Sequence, residues 1–318
     1  MAAEISKLIG YEAPDRPVSW LKRDLILYAL GIGGGDSNDD LSYIYELDPN
    51  FAAFPTYPVV LTFKGDSQDV NLFAETIKSS ALPGLPPVDL GKSVHGSQSI
   101  EILKTLPVAS GPGWKWKTKY TGVSENKSGV VITSENLLVD PQGVPYAKLY
   151  SSSFNIGMKI TGDKFAKVIA GPPQAKPIPK DRKPDWVVRQ KTSPDQALLY
   201  RLSGDYNPLH IDPQVGRAAG FGGTILHGLA TFGFAARALI SAVAYDEPDT
   251  LKFIGVRFTS PVKPGDVLET HVWEVGPGPT GTGTIEVAFV TKNLTSGKDA
   301  LGGGIAYVVK AQALLAVM

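Results

Sequence analysis

Strand-length apolar runs separated by turn-forming residues fill most of the chain, and one stretch stays apolar for much longer. In the first half the runs are Gln98 to Leu103, Trp114 to Thr121, Gly129 to Leu138 and Ala147 to Ile156. In the second half they are Phe253 to Val262, Val267 to Val275, Thr284 to Lys292 and Gly303 to Val309. Thr284 to Thr291 alternates, with Ile285, Val287 and Phe289 on one face, as a strand with one buried side does. Pro261 to Asp266 reads as a turn by composition. The long stretch, Ile225 to Tyr245, spans 21 residues with few polar positions. Crossing a bilayer would place Arg237 near mid-membrane, at a cost of about 2.5–3.5 kcal/mol on insertion scales. A helix that is apolar on nearly every side is equally satisfied inside a protein, wrapped by strands. The pattern therefore predicts an α+β chain without a membrane span.

Residues 171 to 185 hold five prolines, which remove the backbone donors that a helix or central strand needs. This predicts a linker over 166–186 between an N-terminal unit, 1–165, and a C-terminal unit, 187–318. The units carry a faint repeat. Leu27 to Asn38 parallels Leu199 to Asn207, and Val94-His95-Gly96-Ser97 parallels Leu226-His227-Gly228-Leu229. Where the second copy continues Pro208-Leu209-His210, the first has Asp39-Asp40-Leu41, so the first lacks the imidazole.

Composition narrows the classes. With 318 residues and 43% hydrophobic content the chain can bury a substantial core. Its 31 basic and 31 acidic residues cancel, leaving no global field for nucleic acid or an anionic membrane, so an anionic ligand has to be met by local basic residues. No cysteine is present, which excludes disulfides, thiolate ligands and cysteine nucleophiles. The first ten residues lack the apolar core of a secretory signal, and the last four carry no Ser-Lys-Leu-type address.

Chemistry concentrates at Ser203-Gly204-Asp205-Tyr206-Asn207-Pro208-Leu209-His210. A carboxylate and an imidazole five residues apart across an Asn-Pro turn can serve as an acid–base pair, with ordinary pKa values of about 4 and about 6.5. Taken alone, Asp205 and Asn207 would be turn-formers and His210 an ordinary polar histidine. Gly228, at the start of the apolar stretch, offers a helix N-terminal N–H to an anionic oxygen, although it could also serve close packing. Gly31 to Gly35 suggests a dinucleotide-binding loop, but it follows a helical run instead of a strand and lacks the third glycine at the required offset. Four scattered histidines give no metal signature, and His271 reads as a structural residue without a partner.

The Ser-Gly-Asp-x-Asn-Pro-Leu-His string, the downstream Leu226-His227-Gly228-Leu229 and Arg257-Phe258 resemble, in order and nearly in spacing, the signature of the MaoC-like, R-specific 2-enoyl-CoA hydratases (hydratase 2). That family includes the hydratase part of peroxisomal multifunctional enzyme type 2. The resemblance implies a double hot dog fold, each half a curved antiparallel sheet around a long helix. It implies reversible hydration of trans-2-enoyl-CoA to (3R)-3-hydroxyacyl-CoA without cofactor or metal, in fatty-acid β-oxidation in the peroxisome, by a homodimer. It makes Asp205 and His210 the holders of the water, with Asn207 beside them, and gives the thioester oxygen to the Gly228 N–H. His227 becomes a positioning residue. His95 and Gly96 would run along the CoA chain, Lys127 would approach the CoA phosphates, and Tyr206, Pro208, Leu209 and Phe258 would face the substrate. Around Lys127 the spacing departs from the family pattern by about one residue, and Phe258 has an alternative as core. The first half, interrupted by Gly31 to Gly35 and Pro83 to Pro87, would form a pocket for medium or long acyl chains. An acyl-CoA thioesterase and a non-catalytic acyl-CoA-binding protein are the rival readings.

Overall fold

The computed structural model describes residues 5, 7–35, 40–71, 73, 82–88, 92–162, 164–244 and 248–310. Eleven strands form one antiparallel sheet: β1 (Arg16–Pro17), β2 (Ser93–Ile102), β3 (Lys115–Asn126), β4 (Gly129–Val139), β5 (Pro145–Ile156), β6 (Phe165–Val168), β7 (Trp186–Lys191), β8 (Leu251–Phe258), β9 (Val267–Pro277), β10 (Thr284–Asn293) and β11 (Lys298–Val309). Their spatial order is β1-β3-β4-β5-β2-β8-β11-β10-β9-β7, with β6 also on β3. The halves join where β2 pairs with β8, from Ser97 opposite Arg257 to Glu101 opposite Phe253. The helices are α1 (Lys22–Gly31), α2 (Leu41–Ile44), α3 (Leu61–Lys64), α4 (Gln196–Tyr200), α5 (Pro213–Ala218) and α6 (Gly228–Ala244).

The 21-residue apolar stretch resolves into the 17-residue α6, whose residues from Leu229 to Ala236 are all buried. It packs against β7, β8, β9 and β11. No helix among the described residues is long and apolar enough to cross a membrane. Arg237 owes its place in the helix to a bidentate pair with Asp40 of the first half (2.9 and 2.8 Å). One turn earlier, Gly233 makes room for Ile32, whose side chain would overlap a Cβ there. The Gly31 to Gly35 run is thus where the end of α1 presses into the second half. Gln196 completes the contact by donating to the Leu30 and Gly31 carbonyls at the C-terminal end of α1 (3.1 and 2.7 Å).

Among the first half's described residues the longest helix is the ten-residue α1, and a 3-10 turn at Tyr57–Val60 runs directly into the one-turn α3. Pro58 at the start of that turn and Gly65 at its end, the latter at φ +58°, bound it to short segments. The two His-Gly pairs are not equivalent, since His95 and Gly96 lie inside β2 at a register shift whereas Gly228 opens a helix. Asp36 to Asp39 of the repeat lie outside the described residues. The strand expected to reach Val262 ends at Phe258. Beyond it, Pro261 has no N–H for a ladder, and the Val262 carbonyl turns to Leu226 N–H (2.7 Å). β10 does not alternate: Glu286 and Ala288 are buried along with Val287 and Phe289. A register shift interrupts the strand at Glu286, and Lys176 of the proline-rich segment bridges the Glu286 carboxylate (2.8 Å), covering the face expected to meet solvent. His271 has a partner, the Glu269 carboxylate at 2.7 Å, which also receives Arg189.

Replacing Arg237 by alanine would strip the buried Asp40 carboxylate of its guanidinium, and breaking such a pair typically loses about 3–5 kcal/mol. Arg237→Ala is therefore expected to lower urea-unfolding stability by roughly 3 kcal/mol. A loss of less than about 0.5 kcal/mol, the range of an ordinary surface change, would show that this pair does not hold the halves together.

Candidate active site

The catalytic string is an irregular turn held by its own side chains. Asp205 Oδ1 accepts from the Asn207 N–H (3.2 Å), and Asn207 Oδ1 accepts from the Leu209 N–H (3.0 Å). Asn207 thereby caps the 3-10 turn Pro208–His210, which carries His210 inward. Gly204 at φ +128° makes the string fit: a Cβ there would lie 2.7–2.8 Å from backbone and side-chain atoms of Lys64 in α3. The first half therefore presses directly on the string beside its aspartate.

Asp205, His210 and His227 come together, with one donor atom from each lying within 4.8 Å of the others. His210 Nδ1 is 2.9 Å from the Ile225 carbonyl, and His227 Nε2 is 3.1 Å from the Asp205 main-chain carbonyl. A carbonyl only accepts, so each of these nitrogens carries the proton of a neutral ring. His210 then presents an unprotonated Nε2, and His227 Nδ1 is buried without a hydrogen-bond partner. The two rings stack with centroids 3.6 Å apart and planes 26° from parallel, and Tyr200 covers the other ring contact of His227 at 4.9 Å.

Burial sets the charge states. It pushes the His210 pKa below the ordinary histidine value, against the pull of Asp205 and the Ile225 carbonyl. His227 is pushed well below, first by burial and then by His210. Asp205 moves up, because burial outweighs His210 and the Asn207 N–H. The imidazoles are therefore neutral at neutral pH, and the carboxyl is easier to protonate than an exposed one.

Gly228 follows His227 at the start of α6, where the first N–H groups have no acceptor within the helix. A Cβ at Gly228 would lie 3.2 Å from the Phe258 ring, so the glycine also serves close packing. Phe258 in turn contacts the His95 ring at 4.7 Å. Burial pushes the His95 pKa down to about 4, and its Nε2 is buried without a partner. Gly96 lies beside His95 at the β2 irregularity, against Ser152. Tyr206 meets Arg201 over its ring (4.9 Å), Pro208 is exposed and Leu209 is half-buried. Lys127 is not gathered in: it sits exposed at the tip joining β3 and β4. Two open grooves, of about 430 and 610 Å³, run beside the proline-rich segment and share no residue with this cluster.

Tyr200 and Lys64 escaped the sequence reading. A tyrosine in an apolar run and a lysine in a short helix carry no local mark, and only the approach of the halves gives them a place. Although the histidines look scattered along the sequence, His210 and His227 meet at Asp205 with ligand atoms close enough to share one ion.

Acid–base groups beside a free helix N-terminus can move a proton next to a carbonyl whose oxygen is becoming negative. Comparison with known proteins agrees with that capacity. The MFE-2 hydratase 2 N-terminal domain matches residues 19–157, and the MaoC like domain matches residues 176–297. A crystal structure of a MaoC-like dehydratase from Phytophthora capsici superposes with a TM-score of 0.83 at 37% identity, covering 97% of this chain and 98% of that one. A probable enoyl-CoA hydratase 2 from Dictyostelium discoideum is 33% identical over 313 residues, 97% of each protein. Peroxisomal multifunctional enzyme type 2 of Drosophila melanogaster is 36% identical over 307 residues, and the match spans 48% of its length. A Mycobacterium tuberculosis protein described as having a double hotdog fold, 12% identical with a TM-score of 0.56 over 94% of this chain and 95% of that one, shares the fold alone. With two consecutive domain matches and a relative aligned nearly end to end, the chain belongs to the MaoC-like dehydratases, in the two-part form that joins a hydratase 2 N-terminal domain to a MaoC-like domain.

Proposed function

We propose that the protein catalyses the reversible hydration of trans-2-enoyl-CoA to (3R)-3-hydroxyacyl-CoA. The observation that carries this reading is the close approach of Asp205 and His210 beside the helix N-terminus at Gly228. Water has to add its hydroxyl to C3 while C2 gains a proton. Asp205 and His210 hold the water: one removes its proton, the other supplies the proton to C2, and the two titrate as a unit. Charge that develops on the thioester oxygen during addition is met by the Gly228 N–H. The chemistry so written uses no cofactor or metal.

Relatives named enoyl-CoA hydratase 2 support an acyl-CoA substrate. The peroxisomal names of several relatives support a peroxisomal place in fatty-acid β-oxidation, and the double hot dog layout is compatible with a homodimer. We assign His95, Gly96 and Phe258 to the CoA arm, supported by their continuity with Gly228, and Lys127 to the CoA phosphates. Medium and long acyl chains would enter the first half, which among its described residues has no long helix filling its sheet.

Asp205→Asn and His210→Gln should each slow hydration by about 10²–10⁴-fold, since positioned proton transfer typically contributes that much. The double variant should be little worse than either single one. Near-normal turnover in a folded single variant would remove the pair from the mechanism. Loss of the enoyl absorbance measures this, and release of free CoA from the same substrate would instead indicate a thioesterase.

Protonation of His210 removes the Nε2 lone pair, and its pKa lies below the ordinary value of about 6.5. The acid limb of kcat/KM should therefore fall below that pH, and a limb above it would contradict a desolvated neutral imidazole. Chiral analysis should give mainly the 3R product, with kcat/KM rising from C4 to longer enoyl-CoAs. A 3S product would overturn the stereochemical assignment, and a sharp loss by C8 would overturn the spacious pocket.

A further inference from the structure

Asp205, His210 and His227 come from a turn, a 3-10 turn and the residue before α6, and one ligand atom from each lies within 4.8 Å of the others. The proposed hydration uses the first two to move protons and gives the third no part in the chemistry. His227 is 1% exposed, and its Nδ1 has no hydrogen-bond partner among the described residues. A buried nitrogen of this kind gives up its water on folding, which is destabilising unless something else uses the lone pair.

The surroundings of both rings are those of metal ligands. A histidine bound to a metal almost always gives the hydrogen of its other nitrogen to a carboxylate or a main-chain carbonyl, which fixes the ring and makes the ligating nitrogen more basic. His210 does so from Nδ1 to the Ile225 carbonyl (2.9 Å), and His227 from Nε2 to the Asp205 carbonyl (3.1 Å). The free lone pairs are then on His210 Nε2 and His227 Nδ1. Asp205 Oδ1 accepts from the Asn207 N–H (3.2 Å), the comparable outer contact of a ligating carboxylate, and leaves Oδ2 for an ion.

Two imidazoles and one carboxylate select the ion. Magnesium and calcium prefer shells of about six or more oxygens, whereas zinc takes nitrogen and oxygen donors at about 2.0–2.2 Å in a tetrahedron. Donors on such an ion sit about 3.4 Å apart, so the three side chains reach it by drawing in by roughly 1 Å. His210 and His227 already stack with centroids 3.6 Å apart. Asp205 is only half-buried, which opens a way in from solvent and leaves the fourth corner to water.

We propose that Asp205, His210 and His227 form a site for a zinc ion, and that the ion switches hydration off when bound. Coordination takes the lone pairs of Asp205 and His210 that hydration needs for its protons, so an occupied site cannot turn over. The inhibition rests on the hydration reading, and the binding does not.

The test titrates zinc chloride into the untagged whole chain by calorimetry and follows crotonyl-CoA hydration in parallel. One zinc per chain is expected, with hydration falling as the site fills, recovering on addition of a chelator, and ignoring magnesium chloride. Cobalt(II) chloride in place of zinc should give the intense visible bands of a four-coordinate site, a reading that needs no variant. His227→Gln and Asp205→Asn should each weaken zinc binding about 100-fold, since loss even of a ligand's outer partner costs up to that much. Whatever hydration remains in His227→Gln should be insensitive to the zinc concentration that half-inhibits the wild type. His271 and Glu269 form another histidine–carboxylate pair (2.7 Å), and His271→Gln should bind zinc and be inhibited as the wild type is. Loss of binding in His271→Gln, persistence of binding in both folded site variants, or no binding to the wild type would each overturn the site. Zinc bound at the site with hydration unchanged overturns the switch alone. A wild type that binds zinc there and hydrates no enoyl-CoA overturns the hydration reading and the switch with it, while the metal site stands.

Discussion

The antiparallel seam between β2 and β8 is the constraint on which the rest depends. It makes two halves one sheet, and it does so next to the candidate site. His95 enters from one side of the seam and Phe258 from the other, and the Phe258 ring lies over Gly228 where the central helix begins. Beside the seam α1 packs against α2 and α4, and the turn that follows it meets α6, where Gly233 leaves room for Ile32 and Arg237 finds its counterion in Asp40. The half without the catalytic string is therefore a wall of the site. Its Lys64 touches Gly204, immediately before Asp205.

Much of this could be read in the residues because local rules and tertiary demands coincide. Asp205, Asn207 and Pro208 make their turn by their own hydrogen bonds, so the string carries its geometry with it. The apolar stretch around Arg237 showed a buried helix, and the guanidinium found a partner that no spacing rule could name, because Asp40 lies 197 residues away. The illegible parts were those decided by packing between distant segments. A His-Gly pair looks the same in a strand and at a helix start, and only β5 and β8 on either side of it place His95 in a sheet. Alternation failed in β10 for a similar reason, since the proline-rich segment, read as a spacer, covers the strand's outer face with Lys176. The sequence reading made His227 a positioning residue, and nothing in it pointed to the stacking on His210.

Burial sets the electrostatics of the site. Burial moves both imidazoles toward neutrality and the carboxyl toward protonation, which brings their proton affinities closer than they are in solution. Two main-chain carbonyls, of Ile225 and Asp205, choose the tautomers. The backbone thus decides which nitrogen of each ring is left without a proton.

The stacked rings of His210 and His227 have a consequence for proton accounting. Two imidazolium cations with centroids 3.6 Å apart would repel by about 5 kcal/mol even at an effective dielectric constant of about 20. Together they can accept one proton, and the second is refused by the first. The imidazole pair is therefore a one-proton store, and Asp205 is the separate group that can hold another. In the proposed hydration, where one of Asp205 and His210 takes the water's proton while the other delivers one to the carbon beside the thioester, the imidazole pair is never asked to hold two.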